Sequence, residues 1–339
     1  MPGPLANVDL NLILDHTRDL WPELRGARIF ITGGTGFFGK WLLAALLYAN
    51  AEIDLRLQLT VLSRRPAEFQ RRYAEEANAE GLRFLSGDVT NFPQENRRFD
   101  YLIHGAADTT AFTNEAEESE RSRTIVEGTH RMLELVNASG ALRMLNISSG
   151  AVYGVAAGKR DGAKEDDYDQ ARPVTPYGLA KHQAEALCAE SRMDTVTARA
   201  FAFLGPHLPL DAHFAAGNFL RDAVRGGPIQ VRGDGTALRS YLYPSDLVAW
   251  LLRVLVRGER GRAYNVGSDE AVSTAELARL VANAVEPRLE VVIQSVQPQG
   301  PQNIYLPNIH RARAELQLGV TVPLPNAIAR TLDFLRSAS

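Results

Sequence analysis

Tyr177 and Lys181 stand four residues apart in TPYGLAKHQAE, the spacing that puts two side chains on one face of a helix. A phenol ionises near pH ~10 and is a poor base at neutral pH. An ammonium group beside it favours the phenolate, so the pair reads as an acid/base for a hydroxyl or a ketone. Such chemistry needs a third group to orient the reacting oxygen. Ser149, where the apolar run LRMLNIS gives way to SG, is the candidate. Many helices contain a YxxxK by chance, so the weight of the pair depends on what lies upstream.

What lies upstream is a glycine-rich turn. TGGTGFFG places Gly33, Gly36 and Gly39 directly after RIFIT and directly before an apolar helical stretch, with Thr35, Phe37 and Phe38 between them. In that context Gly33 permits a tight turn, Gly36 lets a pyrophosphate approach the backbone, and Gly39 lets helix and strand pack closely. The helix N-terminus adds free N–H groups and a partial positive charge. The turn therefore reads as a dinucleotide site, the alternative being a loop that only reverses the chain. With a nicotinamide in place, the ring's positive charge would help Lys181 favour the phenolate, and Lys181 would hold the ribose hydroxyls. A carboxylate at the end of the second strand would mark NAD. Here Ser63, Arg64 and Arg65 stand there instead, which favours NADP over NAD, unless both arginines are merely solvated. Asp88, after the third strand, can accept from an adenine amino group or cap its own turn.

These groups need a frame. Strand-like runs at Arg28–Thr32, Leu57–Leu62, Arg83–Leu85, Asp100–His104, Leu142–Ser148 and Asp194–Ala198 alternate with helical stretches, an apolar one at 37–50 and the clearest at 113–139 and 176–192. That alternation predicts an α/β fold, a Rossmann-type doubly wound parallel sheet. From about residue 200 the pattern breaks into Pro/Gly-rich loops, returns to an apolar helix at Asp246–Val256 and to YNVGS, then ends in a Pro-rich α/β portion. The domains read as an N-terminal helical extension over 1–25, a dinucleotide-binding domain over 26–198 and 240–268, and a smaller discontinuous substrate lobe over 199–239 and 269–339. The net charge of −3 gives no reason to expect a nucleic-acid or anionic-membrane partner. No window is apolar enough to span a membrane, and MPGPLANVDL lacks the form of a signal peptide. The single cysteine, Cys188, sits in the apolar AEALCAE and reads as a packing residue; a cytoplasmic setting is expected. The seven histidines show no metal-ligand spacing, so no metal is expected.

The chain resembles the extended short-chain dehydrogenase/reductases, within the NAD-dependent epimerase/dehydratase family that modifies nucleotide sugars. The resemblance runs from about residue 27 and rests on TGGTGFFG, GDVT (87–90), HGAA (104–107), EGT (127–129), SSGAVYG (148–154), PYGLAK (176–181), GDGTALRSYLYPSDL (233–247) and YNVGS (264–268). It implies a Ser149/Tyr177/Lys181 triad. It also implies a dinucleotide held by the glycine turn, Asp88 with Val89, and the backbone of Gly105, Ala106 and Ala107. Arg239 and Asn218 would hold the diphosphate of a nucleotide-activated sugar, although Arg239 could instead pair with Asp234 or Asp246. His207 and His213 fall in a loop region that lines such sites. Helices near 113–139 and 176–192 pair relatives into homodimers, so a homodimer is implied.

Departures from the family pattern narrow the chemistry. Ala202 and Ile125 stand where many members carry Asn, and QPQGPQN replaces a segment that often holds an arginine. Relatives that dehydrate the sugar carry an Asp-Glu pair after the catalytic hydroxyl, and decarboxylating relatives commonly a Glu. Here those positions are Gly150 and Ala151, and neither can move a proton. The expected function is therefore an NAD(P)-dependent 4-keto reductase or 4-epimerase acting at sugar C4, Arg64 and Arg65 tilting it toward the reductase. The rivals are a 4,6-dehydratase with its acids elsewhere and a catalytically silent dinucleotide sensor or scaffold.

Overall fold

Short runs of Ile, Leu, Val and Phe become strands because their side chains fit a pleated surface buried on both faces. The computed structural model describes residues 5–93, 95–107, 115–154, 158–211, 214–295 and 303–337. In it β1 (Arg28–Thr32), β2 (Gln58–Ser63), β3 (Leu82–Ser86), β4 (Tyr101–His104), β5 (Arg143–Ser149) and β6 (Thr195–Ala200) form the central sheet. The chain leaves it for β7 (Ile229–Val231) and β8 (Leu238–Arg239), and returns with β9 (Ala263–Val266). The order is β3-β2-β1-β4-β5-β6-β9, all neighbours parallel. This is the doubly wound Rossmann-type sheet that the alternation predicts. The order reverses between β1 and β4, which opens a crevice at the carboxyl ends of the strands.

Helices cover both faces. They are α1 (Asn7–His16), α2 (Trp21–Leu24), α3 (Phe37–Ile53), α4 (Pro66–Arg72), α5 (Ala74–Ala77), α6 (Glu115–Ser139), α7 (Pro176–Glu190), α8 (Ala215–Arg225) and α9 (Pro244–Arg257). Alternation along the strands sends Ile29 and Ile31 to one face, with Trp41, Leu42 and Leu46 of α3 and Leu251 and Leu255 of α9. Phe30, Leu102 and Met144 go to the other, with Met132 and Val136 of α6 and Cys188 of α7. Cys188 is thus a buried packing residue, and burial pushes its thiol up to about 12. Leu10 and Ile13 of α1 and Trp21 and Leu24 of α2 belong to the first cluster, so the N-terminal segment is part of the main core. Asp9 is buried there, accepting from Tyr243 Oη at 2.8 Å and Arg330 Nη1 at 2.6 Å.

The remaining elements are β10 (Val272–Ser273), α10 (Thr274–Asn283), β11 (Val291–Ile293), β12 (Ile304–Tyr305), α11 (His310–Leu316) and α12 (Leu324–Ser337). Two small sheets form here, β11-β7 and β10-β8-β12. The stretch after residue 200 is more regular than its Pro/Gly content implies. α8 forms between two loops because Ala216, Phe219, Leu220 and Ala223 make one apolar face. β12 is only two residues long and lies beside β8, Tyr305 opposite Arg239. No helix among the described residues is long and apolar enough to cross a membrane.

Candidate active site

The carboxyl ends of β1, β4 and β5 bring the site together. After Thr32 the chain turns at Gly33, whose φ of +74° side chains rarely adopt; a Cβ there would stand 2.5 Å from the Gly105 carbonyl oxygen. Gly39 lies against the same turn, with room for no side chain beside Gly33 and Gly34. Gly36 differs: a Cβ would meet nothing closer than the Gly33 oxygen at 3.3 Å, so its outer side is open. It starts α3, with Thr35 just before it and Phe37 and Phe38 in the first turn. Phe38 packs edge-on to Phe203 at 4.8 Å, which anchors that first turn. Free N–H groups of the helix end could receive a pyrophosphate there.

Thr32 and His104, which the sequence reading passed over, lock the turn to its neighbour. Thr32 Oγ1 accepts from the backbone N–H of Gly105 at 3.2 Å and Ala106 at 3.1 Å, and lies 2.9 Å from His104 Nδ1. With two donors already aimed at it, the threonine gives its proton to Nδ1. His104 Nε2 then donates to Thr129 Oγ1 at 3.2 Å, which passes its own proton to the Ile125 carbonyl. Burial and the Lys181 charge push the imidazole down to about 3, so it stays neutral. Gly105, Ala106 and Ala107 are thereby held beside the glycine turn.

At the adenosine end expected from the sequence, Ser63 closes β2, and its Oγ accepts from the Arg65 N–H at 3.3 Å. Arg65 pairs with Glu68 at 3.4 Å, so Arg64 is the arginine of the two without an ion pair among the described residues. Asp88 Oδ1 accepts from Thr90 N and Oγ1 at 3.0 and 2.8 Å, so this carboxylate does cap its own turn. Val89 is buried against Gly128 of α6.

Ser149 is the last residue of β5, and Tyr177 and Lys181 lie in the first turns of α7. Thr175 caps that helix, its Oγ1 accepting from Gly178 N at 3.0 Å, and Pro176 supplies the preformed first turn. Gly178 lets the helix approach the Ala151 carbonyl, which sets Tyr177 by the end of β5 where Ser149 stands. Burial raises the Tyr177 phenol, while the nearby Ser149 hydroxyl and the Arg121 charge pull it the other way. Lys181 is buried and donates to the Ile147 carbonyl at 2.8 Å. Burial pulls its ammonium down to about 8 against the opposing charge of Glu185. Glu185 is itself held by Ser148 Oγ and by Arg199, whose Nη2 lies 2.8 Å away in a buried ion pair.

Tyr305 was not foreseen. Its Oη lies 3.4 Å from Ser149 Oγ, and the Arg239 guanidinium lies 5.7 Å from its ring centre. No motif marks it, since β12 reaches the site only by pairing with β8. Arg239 donates to the Leu238 and Asn303 carbonyls and to Asn303 Oδ1, and has no ion pair among the described residues. Asp246 instead accepts from Thr321 and Val322. Asn218 Oδ1 accepts from Arg221 at 3.2 Å.

Ile125 is buried with Ala180 and Ala184 under Tyr177, so that position packs α6 on α7. His207 lies edge-on between Tyr73 and Phe334 and is pushed down to about 3 by burial and by Lys40 and Arg72. His213 and residues 297–302 of QPQGPQN lie outside the described residues. Among the described residues no group of His, Cys, Asp and Glu could hold a metal. Gly150 and Ala151 follow Ser149 into a short 3₁₀ turn. A Cβ on Gly150 would stand 2.6 Å from the Phe201 ring.

An open parallel sheet with a glycine turn at its switch point defines a Rossmann-type α/β protein. Residues 29–267 match the model of the NAD dependent epimerase/dehydratase family, and the chain belongs to that family. It is 26% identical over 316 residues to UDP-glucuronic acid decarboxylase 1 of Xenopus tropicalis, covering 91% of this chain and 72% of that protein. It is 22% identical over 334 residues to dTDP-D-glucose 4,6-dehydratase of Bos taurus, covering 93% and 90%. Among solved structures, MoeE5 in complex with UDP-glucose and NAD superposes with a TM-score of 0.74 at 26% identity, covering 92% and 99%.

Proposed function

We propose that this chain is an NAD(P)-dependent nucleotide-sugar enzyme that works at sugar C4, as a 4-keto reductase or a 4-epimerase, without removing water. The observation that carries this reading is the pairing of a complete Ser149/Tyr177/Lys181 cluster with Gly150 and Ala151. Elimination needs a base for the C5 proton and an acid for the leaving hydroxyl, each worth roughly 100- to 10,000-fold. Neither residue carries a titratable side chain, and the Phe201 ring occupies the space that a carboxylate on residue 150 would need.

Gly33, Gly36 and Gly39 with the backbone of Thr35, Phe37 and Phe38 would hold the dinucleotide pyrophosphate. Asp88, Val89, Gly105, Ala106 and Ala107 would line its path, and Ser63 with Arg64 and Arg65 would meet the adenosine ribose. The nicotinamide, when bound, supplies or accepts a hydride at sugar C4. Ser149 orients the C4 oxygen by hydrogen bonding, and Tyr177 gives or takes the proton on that oxygen. Lys181 keeps positive charge behind the phenol and holds the nicotinamide ribose. Arg239 and Asn218, in the smaller lobe over 199–239 and 269–339, would receive the diphosphate of the sugar nucleotide. NAD is what the solved relative MoeE5 holds; Arg64 is the residue here that favours NADP. By the family resemblance, α6 and α7 would pair two copies into a homodimer.

The test is to incubate the protein with NAD⁺ or NADPH and a panel of UDP- and dTDP-hexoses, UDP-glucuronic acid and 4-keto-6-deoxy sugar nucleotides. The expected products are a C4 epimer of unchanged mass, or a reduced sugar that has gained H₂. Accumulation of a product that has lost water or CO₂ assigns the chain to dehydration or decarboxylation and overturns the reading.

A further inference from the structure

A cation other than Lys181 stands against the Tyr177 ring. Arg121, on α6, is 9% exposed and holds its guanidinium 5.5 Å from the centre of the Tyr177 ring, on the side where α6 packs against α7. We propose that Arg121 is a positioning residue for proton transfer: its guanidinium, held over the Tyr177 ring, stabilises the phenolate as a second positive charge beside that of Lys181. The proposal rests on the reading of Tyr177 as the proton-transfer group.

A cation within about 6 Å of a ring is attracted to its π face, and more strongly when the ring carries a phenolate whose charge spreads into it. Burial of Arg121 against a half-buried Tyr177 weakens solvent screening of that attraction. The two cations also differ in kind. Lys181 loses its proton near pH 8 in this setting, whereas a guanidinium keeps its charge throughout the range in which enzymes work. Above pH 8 the phenolate would otherwise lose its charged neighbour, and Arg121 preserves one.

The groups facing Tyr177 come from every element around it. Lys181 lies one turn on along α7, with Glu185 beyond it acting on that lysine. Ser149 at the end of β5 faces the phenol with its hydroxyl, and Tyr305 of β12, with Arg239 over its ring, faces it from the smaller lobe. Of these, Ser149 can donate but carries no charge, and Tyr305 is a neutral phenol that burial keeps protonated. Among the described residues, charge stabilisation of Tyr177 from outside its own helix therefore falls to Arg121.

The experiment reads the phenol directly and needs no substrate. Protein labelled with ¹³C at tyrosine Cζ, saturated with NAD⁺, is titrated by NMR, and the Tyr177 resonance is assigned by its loss in Tyr177→Phe. Arg121→Gln is expected to raise the Tyr177 midpoint by about one pH unit. Arg121→Lys, which keeps the charge, is expected to return it most of the way. Arg121→Met, which keeps the aliphatic stem, serves as the neutral variant should Arg121→Gln not fold. An unchanged midpoint in a folded neutral variant overturns the proposal, as does a wild-type Tyr177 that fails to ionise below Arg121→Gln. Absence of turnover on any sugar nucleotide bears on the proposed reaction alone and leaves this titration untouched.

Discussion

Gly150 lies so close to Phe201 that a Cβ would stand 2.6 Å from ring atom Cε1 and 2.7 Å from Cζ. The ring cannot simply swing aside, because it also packs against Tyr305 at 4.8 Å and Tyr153 at 6.1 Å between centres. Position 150 is therefore closed to a carboxylate by shape as well as by sequence. Gly150→Asp is expected to lower stability by roughly 1–3 kcal/mol through overpacking and to create no dehydrating activity. Combining it with Phe201→Ala should recover part of that loss, a coupling that a double-mutant cycle by urea unfolding measures. Additive losses would show that the two residues do not oppose each other.

The open side of Gly36 gives a second prediction. Gly36→Val keeps the turn, whose steric demands fall on Gly33 and Gly39, but fills the space in front of the first turn of α3. Dinucleotide affinity is expected to fall at least a hundredfold with the melting temperature nearly unchanged. Fluorescence titration with NADH and NADPH checks it. Wild-type affinity in the variant would remove the pyrophosphate from this turn.

Arg65 shares its exposed guanidinium with Glu68, which leaves Arg64 the less encumbered of the two for a 2′-phosphate. Arg64→Ala is expected to weaken NADPH binding about tenfold or more, the worth of one charge-assisted hydrogen bond of roughly 1.5–3 kcal/mol. NADH binding should be unaffected, and Arg65→Ala should cost less. Equal affinities of the wild type for NADH and NADPH would leave Arg64 as a solvated surface residue.

Lys181 links the site to the pH dependence of folding. Its folded-state value, about 8, lies below the ~10.4 of an unfolded chain, so between these limits the unfolded state binds more protons. Stability then rises with pH across that window, and the penalty for keeping the ammonium buried below pH 8, on the order of 3 kcal/mol, is relieved above it. Lys181→Met should abolish this contribution. Guanidinium unfolding at pH 7.5 and pH 10 on both proteins isolates it as the difference of differences. A pH response identical in the two proteins would contradict the depressed value.

Local patterns made much of this molecule readable before its structure. β1 to β6 lie within two residues of the runs that predict them, and Ser149, Tyr177 and Lys181 fall at the strand end and in the first helix turns that the local sequence encodes. Tyr305, Thr32 and Arg121 were not readable. Tyr305 comes to Ser149 across 156 residues of chain through a two-residue strand, and nothing in IYLP announces such a pairing. Thr32 reads as the last residue of a strand until His104 and the two backbone donors are placed around it. Arg121 reads as one charge among many in EAEESERSR, and only helix packing singles it out. α8 was hidden for another reason: flanking Pro and Gly residues outweighed its apolar stripe.

Asp9 has a consequence for how the chain is made. Its two donors lie 234 and 321 residues further on, and the later of them, Arg330, sits in the final helix. Translation delivers α1 first and α12 last, so the acid emerges from the ribosome with neither partner yet in existence. Burial raises its carboxyl above the usual range even with both donors present, so docking α1 in their absence costs more. One buried carboxylate thus ties α1 to α9 and α12, elements far apart in the chain. A chain cut before Arg330 would leave Asp9 with Tyr243 alone and hold Leu10 and Ile13 less firmly in the core.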